Sequence, residues 1–491
     1  MDKKKILFHL RPWEVGLYVA LEDYLNREFN KELDFLYITH HFEAESLLKK
    51  RGRDCININS ELKKIPFPID WRERLQELEN QCRGFTRNFQ QYLAAERFFN
   101  RKSRDIQIKQ LYRTLMFYNP LFEKHKPFFM LSNGPDHMPF WIAMDLLKFH
   151  GGHPCGLVPA SWPKNSFSMY REVGRIYYGQ EIYNDLLTRG LTAAEQERAK
   201  ELQQAFVTGR SVPINISSER FALIRTRSFI QRIKSYYYYN TNDFYWQITE
   251  RIKGNWYVQK IPFPGRYILN KIRNKYNFIV SRRFFNETVV QGVPFVYFPL
   301  HLEPEATTTI YSNFYDNQLE VIRALSKALP VSWLIAVKEH PNMKHRRSKD
   351  FYRSLKKMPN VVMVKTYQPS WQLIRDCEIV ATLSGTAGIE ASIIGKPVIV
   401  FGKPAWGYSP TVTEAGNLQN LHETIWEAYR KQLSPDDERV QAFILSWEGA
   451  NQKGIYDHFA WLPPIDDPDN VVKIGQAILK LIHDIESGNI S

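Results

Sequence analysis

Short apolar runs alternate with longer amphipathic stretches over the first 165 residues of the chain. Runs of this length are typical of buried strands, and strands that alternate with helices favour a parallel sheet covered by helices. The predicted strands span residues 6–10, 34–39, 128–132 and 155–159, and the predicted helical regions span residues 15–27 and, as one long polar region, 72–109. We therefore predict an N-terminal α/β lobe over residues 1–165.

The same alternation returns from residue 293. Here the predicted strands span residues 293–299, 333–338, 361–365, 379–383 and 398–401, and the predicted helices span residues 313–329, 349–357, 370–376 and 387–394. This pattern indicates a doubly wound sheet, in which ligands bind beyond the carboxyl ends of the strands. We predict an α/β chain with two Rossmann-like lobes facing a cleft, the second over residues 291–465, and an amphipathic helix in residues 466–491.

The stretch between the lobes, residues 166–290, loses the alternation and becomes strongly basic. It contains a predicted helix over residues 192–206, for which Thr192 is a suitable N-cap. Between residues 207 and 285 there are 15 Lys or Arg against 3 Asp or Glu, a balance of +12 within a net charge of +14. Aromatic residues, including Tyr236 to Tyr239, are mixed into it. We predict a helical basic and aromatic linker or insertion.

Several partners are compatible with this basic segment. Basic residues beside aromatic ones suit an anionic membrane surface or a polyanionic acceptor. They also suit stacking on RNA, or a solvated basic face with aromatic residues packed below it. We favour the membrane or acceptor surface over nucleic acid, and the solvated face stays open as the alternative.

Cysteine spacing and hydropathy narrow the class of protein. Cys55, Cys82, Cys155 and Cys377 are scattered, which disfavours a disulfide framework and a zinc site. No stretch approaches the roughly 20 apolar residues needed to cross a bilayer, and the first residues are typical of a strand rather than a signal peptide. We expect a cytoplasmic protein, in peripheral contact with the membrane if the basic segment binds lipid.

The most informative motif follows the strand predicted over residues 379–383. A turn of small residues, Ser384-Gly385-Thr386, leads directly into a helix. Backbone N–H groups at such a helix N-terminus favour a phosphate, and hydroxyl side chains can add further hydrogen bonds. Glu390 lies about one turn into the helix, where it can bind a ribose hydroxyl. A simple capped strand–helix turn is the structural alternative.

Two further loops follow strands of the same lobe. Lys338-Glu339-His340 comes directly after an apolar strand, so an imidazole and an ammonium group are predicted beside the phosphate turn. The loop after the first strand carries His301, Glu303 and Glu305. Carboxylates there can bind a nucleotide, orient an acceptor or transfer protons. Helix capping or salt bridging is the alternative for each Glu, and a loop histidine with no functional role is the alternative for His340.

In the first lobe the corresponding position holds Ser132-Asn133-Gly134, followed by Asp136 and His137. A second turn, residues 159–165, follows the next predicted strand. Both turns lie at the carboxyl ends of strands, so their polar residues are acceptor-side candidates if the sheet is parallel.

These motifs carry a resemblance to a known family. Residues 299–305, 338–341 and 384–388, with residues 120–170 less specifically, resemble bacterial capsule and surface-polysaccharide biosynthesis glycosyltransferases of the GT-B type, including Kdo transferases that use CMP-Kdo. The resemblance implies transfer of Kdo or another ulosonic acid from a CMP donor to a glycan or lipid-linked glycan acceptor. It also implies metal independence and no cofactor beyond the nucleotide sugar. The catalytic candidates are Asp136, Glu305 and His340, and the donor-binding candidates are Glu303, Lys338, His340, Ser384, Gly385, Thr386 and Glu390.

Among the catalytic candidates, Asp136 is our first choice for the acceptor base, with His137 and Glu305 behind it. Two other functions stay open. The first is a CDP-dependent polyol-phosphate or glycerophosphate transferase with a similar phosphate turn. The second is a non-catalytic polysaccharide- or lipid-binding subunit of an assembly complex, although a pure binding module has no need of a phosphate turn.

Overall fold

The computed structural model describes residues 3–29, 32–97, 102–134, 136–208, 249, 252–253, 264–289, 292–340, 343, 347–365, 368–456 and 465–490. The chain forms two compact units. The first comprises Met1–Glu172, Ser211–Ile261 and Ala450–Ser491, and the second comprises Val173–Arg210 and Pro262–Gly449. Most of the basic segment predicted over residues 207–285, including the run Tyr236 to Tyr239, lies outside the described residues.

The described strands, in chain order, are β1 (Lys4–His9), β2 (Leu33–Thr39), β3 (Cys55–Asn57), β4 (Phe129–Asn133), β5 (His153–Pro159), β6 (Ser166–Glu172), β7 (Arg175–Ile176), β8 (Phe295–Pro299), β9 (Leu334–Lys338), β10 (Val361–Met363), β11 (Ile379–Thr382), β12 (Val398–Val400), β13 (Val412–Glu414) and β14 (Gln452–Lys453).

The described α-helices are α1 (Val15–Glu28), α2 (Phe42–Lys50), α3 (Ile58–Lys64), α4 (Trp71–Gln81), α5 (Phe89–Ala95), α6 (Arg104–His125), α7 (Met138–Phe149), α8 (Gly179–Arg189), α9 (Ala193–Val207), α10 (Pro264–Phe284), α11 (Ala306–Thr309), α12 (Gln318–Ala328), α13 (Lys349–Lys356), α14 (Ser370–Asp376), α15 (Thr386–Ile393), α16 (Leu421–Arg430), α17 (Glu438–Ala450) and α18 (Pro468–Glu486). Short 3-10 turns precede α1 and α16, at Pro12–Glu14 and Leu418–Asn420. No helix in the described ranges is both long enough and apolar enough to cross a membrane.

The sheet of the first unit runs in the order β14–β6–β5–β4–β1–β2–β3. The strands β5, β4, β1, β2 and β3 are all parallel, whereas β6 and β14 join antiparallel at one edge. The apolar part of β1 is fully buried from Ile6 to Phe8, as expected of a strand covered on both faces. The parallel part has the order of a Rossmann sheet, which confirms the α/β prediction for this part of the chain.

The C-terminal residues complete this first unit. Helix α18 packs against α1, where Gly475 allows a close approach to the ring of Tyr24, and β14 pairs with β6. The predicted lobe ended at residue 165 and left residues 466–491 as a separate helix. The structure instead adds β6 and α18 to the first unit, because the apolar face of α18, including Ile474 and Ile478, is buried.

The sheet of the second unit runs in the order β10–β9–β8–β11–β12–β13 and is parallel throughout. This is the doubly wound order, and the strand order reverses between β8 and β11. The core is formed by apolar residues of these strands and of α12, α13 and α16. The predicted Rossmann-like second half is confirmed, and the site built on it is set by the loops after β8, β9 and β11.

Two predicted helices are wrong in extent. The region 72–109 is divided among α4, α5 and the start of α6, and Gly84 adopts a positive φ of 96° just after α4, which a helix cannot contain. The helix predicted over residues 313–329 begins only at Gln318, because a turn closed by the bond from Tyr315 N–H to Ser312 O precedes it. The helix predicted from Thr192 is confirmed, with Thr192 and Glu195 forming a capping box.

Candidate functional site

The predicted phosphate turn joins β11 to α15 in the second unit. The N–H of Gly385, the N-cap residue, donates to Thr382 Oγ1 at 3.1 Å, and that hydroxyl lies 3.0 Å from His301 Nε2. A Cβ atom at Gly385 would lie 2.6 Å from the same Nε2 atom. Glycine is therefore required here because any side chain at this position would collide with the buried His301 ring that supports the turn.

The protonation of His301 follows from its neighbours. Its Nδ1 atom lies 3.4 Å from Oε1 of Gln318, an oxygen that can only accept, so Nδ1 carries the hydrogen and Nε2 accepts from Thr382. Burial, with the charge of Arg347, lowers the pKa of His301 to about 4 although the bond to Gln318 opposes it. The imidazole is thus neutral at pH 7. The buried ring supports the turn through its bond to Thr382.

The start of α15 is open for an anion. No described residue accepts a hydrogen bond from the backbone N–H of Thr386 or Ala387, and the Thr386 side chain is exposed. The hydroxyl of Ser384, in contrast, donates to Thr307 O at 3.1 Å and so ties the turn to the loop after β8. Free N–H groups at a helix N-terminus favour a phosphate or carboxylate. Thr386 is therefore better placed than Ser384 to bind an anion.

Lys338 and Glu390 influence each other electrostatically near this turn without forming an ion pair. Lys338 is the last residue of β9, and its Nζ atom donates a hydrogen bond to Ser370 Oγ at 2.7 Å. Burial lowers the pKa of Lys338 to about 8, although the charge of Glu390 raises it. Burial raises the pKa of Glu390 to about 7, although Lys338 lowers it. No described residue forms a hydrogen bond or ion pair with the half-buried Glu390 carboxylate. Its oxygens can accept hydrogen bonds from a ligand hydroxyl.

Arg347 connects the loops after β8 and β9. Its side chain is 3% exposed and forms ion pairs with Glu303 at 2.7 Å and with Glu339 at 3.2 Å. The hydroxyl of Tyr352 donates to Glu339 at 2.8 Å from the other side. The predicted donor ligand Glu303 is therefore held in an ion pair. Sequence reasoning missed Arg347, since a basic run such as Lys344 to Arg347 is typical of a solvated loop.

Glu305 and His340 have different surroundings. Glu305 is the N-cap of α11: its backbone N–H bonds to Thr308 Oγ1 and its carboxylate accepts from Thr307 Oγ1 at 2.8 Å. Glu305 therefore has the helix-capping role that the sequence left open as an alternative. His340 is half-buried, and its backbone N–H donates to Glu339 at 2.8 Å. Burial, with the charges of Arg347 and Lys338, lowers the pKa of His340, so a neutral imidazole can donate its N–H to a ligand.

In the first unit the strand order reverses between β1 and β4, and a charged pair lies at that point. Arg11, just after β1, donates from Nη2 to Asp136 Oδ2 at 2.5 Å, and its side chain is only 10% exposed. Burial raises the pKa of Asp136, but Arg11, His137 and Arg97 outweigh it and the pKa falls to about 2. The carboxylate is ionised at any physiological pH.

The same edge gathers histidines from neighbouring strands. His9 Nε2 lies 3.1 Å from His40 Nδ1, and the His9 ring stacks on Phe140 with 4.0 Å between ring centroids. His137 lies beside Asp136, with 3.6 Å between Nε2 and Oδ2, and burial lowers its pKa to about 3. The residues predicted for the first lobe all follow its third and fourth predicted strands. His9, Arg11 and His40 lie at the carboxyl ends of the first two strands and were therefore not predicted.

Three comparisons with known proteins relate these sites to other chains. A curated relative, Protein FixF of Sinorhizobium fredii (strain NBRC 101917 / NGR234), is 27% identical over 171 residues, which are 33% of this chain and 39% of that protein. This chain thus spans about two fifths of the length of that relative.

Solved structures align with this chain at low TM-scores. The β-Kdo 2,7 transferase KpsC of Thermosulfurimonas dismutans is 15% identical and aligns over 66% of this chain and 78% of its own, with a TM-score of 0.32. UDP-GlcNAc 2-epimerase of Neisseria meningitidis, bound to UDP-GlcNAc, is 14% identical over 91% of this chain and 99% of its own, with a TM-score of 0.27. The Rossmann assignment above rests on strand order and not on these superpositions.

Residues 260–445 match the model of the capsule polysaccharide biosynthesis protein family. This span contains the whole sheet of the second unit, with Lys338 and His340 after β9 and the turn from Ser384 to Thr386 after β11. The resemblance predicted from these residues is therefore confirmed over this span: residues 260–445, which lie almost wholly in the second unit, are similar to the capsule polysaccharide biosynthesis protein family.

Proposed function

We propose that the chain is a glycosyltransferase of surface polysaccharide synthesis. It transfers an acidic sugar, Kdo or another ulosonic acid, from a CMP-activated donor to a glycan acceptor. The observation that carries the proposal is the open N-terminus of α15 at the point where the strand order of the second unit reverses. In doubly wound sheets this is where ligands with phosphate groups bind.

The donor side combines groups of different chemistry. The free N–H groups of Thr386 and Ala387 suit the single phosphate of a CMP donor, and the ammonium of Lys338 adds positive charge. The unpartnered carboxylate of Glu390, one helical turn further on, suits a ribose hydroxyl. The neutral imidazole of His340 can donate a hydrogen bond to the leaving phosphate as negative charge develops on it.

On the acceptor side we propose Asp136 as the group that orients the attacking hydroxyl. Its Oδ2 atom is held by Arg11, while Oδ1 is buried and accepts no hydrogen bond from the described residues. A pKa of about 2 makes this carboxylate a weak base, since efficient general bases have pKa values near the operating pH. We therefore assign Asp136 mainly to orientation, and His137 and Glu305 remain the other candidates.

A thermal-shift panel of CMP, CDP, UDP, GDP and ADP, with and without Mg²⁺, is the first test. A ligand that binds only the folded state stabilises it by about 2.7 kcal/mol at 100 times its Kd. We expect selective stabilisation by CMP, equal with and without the metal ion, and transfer from CMP-Kdo to an acceptor glycan.

Matched variants test whether CMP binds at the proposed donor site. Glu390→Gln and His340→Ala should weaken the CMP response, whereas Arg353→Ala, on the exposed face of α13, should leave it unchanged. A preference for CDP would favour the polyol-phosphate alternative, and a preference for UDP or GDP would overturn the acidic sugar. If no nucleotide stabilises the protein, the transferase proposal is wrong and a binding subunit takes its place.

A further inference from the structure

Helix α10 presents a stripe of exposed apolar side chains. Leu269, Ile272, Tyr276 and Ile279 are 65%, 62%, 55% and 49% exposed. Their spacing of three, four and three residues places them on one face of the helix. Scattered single apolar residues are normal on a protein surface, but a continuous stripe marks an interaction site.

Basic residues border this stripe. Arg273 and Lys275 are exposed, and at 100° per residue they lie on opposite sides of the apolar face. Arg283 is also exposed, one turn beyond Ile279 and on the same face. The sequence of α10 contains six Lys or Arg and no Asp or Glu. The helix is thus both amphipathic and purely cationic.

The C-terminal end of α10 is anchored in the second unit. Phe284 and Phe285 contact the ring of Tyr352 on α13, at centroid distances of 5.7 and 5.4 Å, and Val280 is buried. The exposed stripe lies N-terminal to this anchor. The packing therefore fixes the helix to the unit without covering its apolar face.

We propose that α10 is a membrane-docking helix that lies in the interface of an anionic lipid bilayer. An apolar stripe bordered by Lys and Arg is the pattern of helices that bury one face at the boundary of head groups and acyl chains. The absence of acidic residues on α10 complements a negative lipid surface. The proposal does not depend on the donor or on transferase activity, since it concerns a surface outside both candidate sites.

Co-sedimentation of the full chain with vesicles tests this assignment. We expect binding to vesicles of equal parts phosphatidylglycerol and phosphatidylcholine, and little binding to phosphatidylcholine alone. Arg273→Gln/Lys275→Gln should lower the partition coefficient about 25-fold, since each basic residue near an anionic surface contributes roughly a factor of five. Leu269→Ser/Ile272→Ser/Tyr276→Ser should lower it by at least about tenfold, because three apolar side chains no longer enter the bilayer.

The control variant is Phe314→Ser/Val331→Ser. It removes exposed apolar side chains, 77% and 104% exposed, from the same unit outside α10, and it should bind like the wild type. Thermal unfolding of each variant checks that the fold is retained. Unchanged vesicle binding of Leu269→Ser/Ile272→Ser/Tyr276→Ser would overturn the proposal. Vesicle binding that responds only to the charge substitutions, and that RNA competes away, would also overturn it. A stable dimer that is lost in the same variant would assign the stripe to a second copy of the chain and would also overturn it.

Discussion

Arg11 donates a 2.5 Å hydrogen bond to Asp136 across the point where β1 and β4 lie side by side. The second unit has a bridge at the corresponding point of its sheet, where Thr382 at the end of β11 bonds to His301 after β8 at 3.0 Å. The first bridge is charged and the second is neutral. The two sheets thus have the same strand order in their parallel parts but place different groups where that order reverses. The first sheet has an ionised carboxylate there, and the second has an uncharged histidine that supports the predicted phosphate turn.

Replacing Arg11 by Met should change how stability depends on pH. The pKa of Asp136, about 2 in the folded protein against an ordinary 3.8, contributes stability that is present above pH 3.8 and is lost as the pH falls toward 2. Without Arg11, the largest charge that lowers the pKa of Asp136 is lost, so this pKa rises. We expect Arg11→Met to be destabilised at pH 7, with the difference from the wild type narrowing as the pH falls in urea unfolding.

The double variant Arg11→Met/Asp136→Asn is the control for that experiment. It removes both charges, so it should be less destabilised than the sum of the two single variants. Simple additivity would mean that the ion pair contributes nothing to stability.

His340→Ala should lower kcat in a CMP-Kdo transfer assay about 10²- to 10³-fold, the usual effect of removing one donor to a developing negative charge. The fold should be retained, since the side chain is half-buried at the end of a strand. Circular dichroism checks the fold in parallel, and unchanged turnover would remove His340 from the mechanism.

Glu390→Gln should stabilise the protein at pH 8 more than at pH 5. The folded-state pKa of Glu390, about 7, lies above its ordinary 4.5, so the wild type loses stability as the pH rises from 4.5 to about 7. The amide side chain of the variant does not titrate, so the difference in Tm between variant and wild type should grow over this range and then level off. Glu320→Gln, on the exposed face of α12, serves as the matched substitution.

Arg347→Met should cost about 3–5 kcal/mol of unfolding free energy, because it leaves the carboxylate of Glu339 buried and unpaired. The matched substitution is Arg353→Met, six residues further on, whose ion pair with Asp350 is exposed. An exposed pair contributes about 0–1 kcal/mol. Equal destabilisation of the two variants in urea unfolding would show that Arg347 does not hold the two loops together.

The fold could be predicted from the sequence because its strands are short, continuous apolar runs. Strands buried on both faces have few polar positions, so β1, β4, β8 and β11 were found to within about two residues. The C-terminal helix was also found, but its partner was not: the apolar face of α18 does not indicate that α1, more than 400 residues earlier, covers it.

The site was predicted only in part, for a physical reason. The position of the turn after β11 follows from local sequence, since glycine and hydroxyl residues after a strand are a local signal. The partners of its side chains are set by tertiary contacts. Nothing in the sequence near Ser384 indicates that its hydroxyl bonds to Thr307, or that Glu303 pairs with Arg347. Residue type alone could not separate side chains that are available to a ligand from side chains that are bonded within the protein.

The discontinuous first unit has a consequence for biosynthesis. All residues of the second unit precede residue 450, whereas β14 and α18 of the first unit follow it. On a ribosome, the second unit can therefore fold while the first still lacks an edge strand and the helix that covers α1. The first unit is therefore completed after the second, and until then β6 lacks its partner β14 and the apolar face of α1 is open to chaperones.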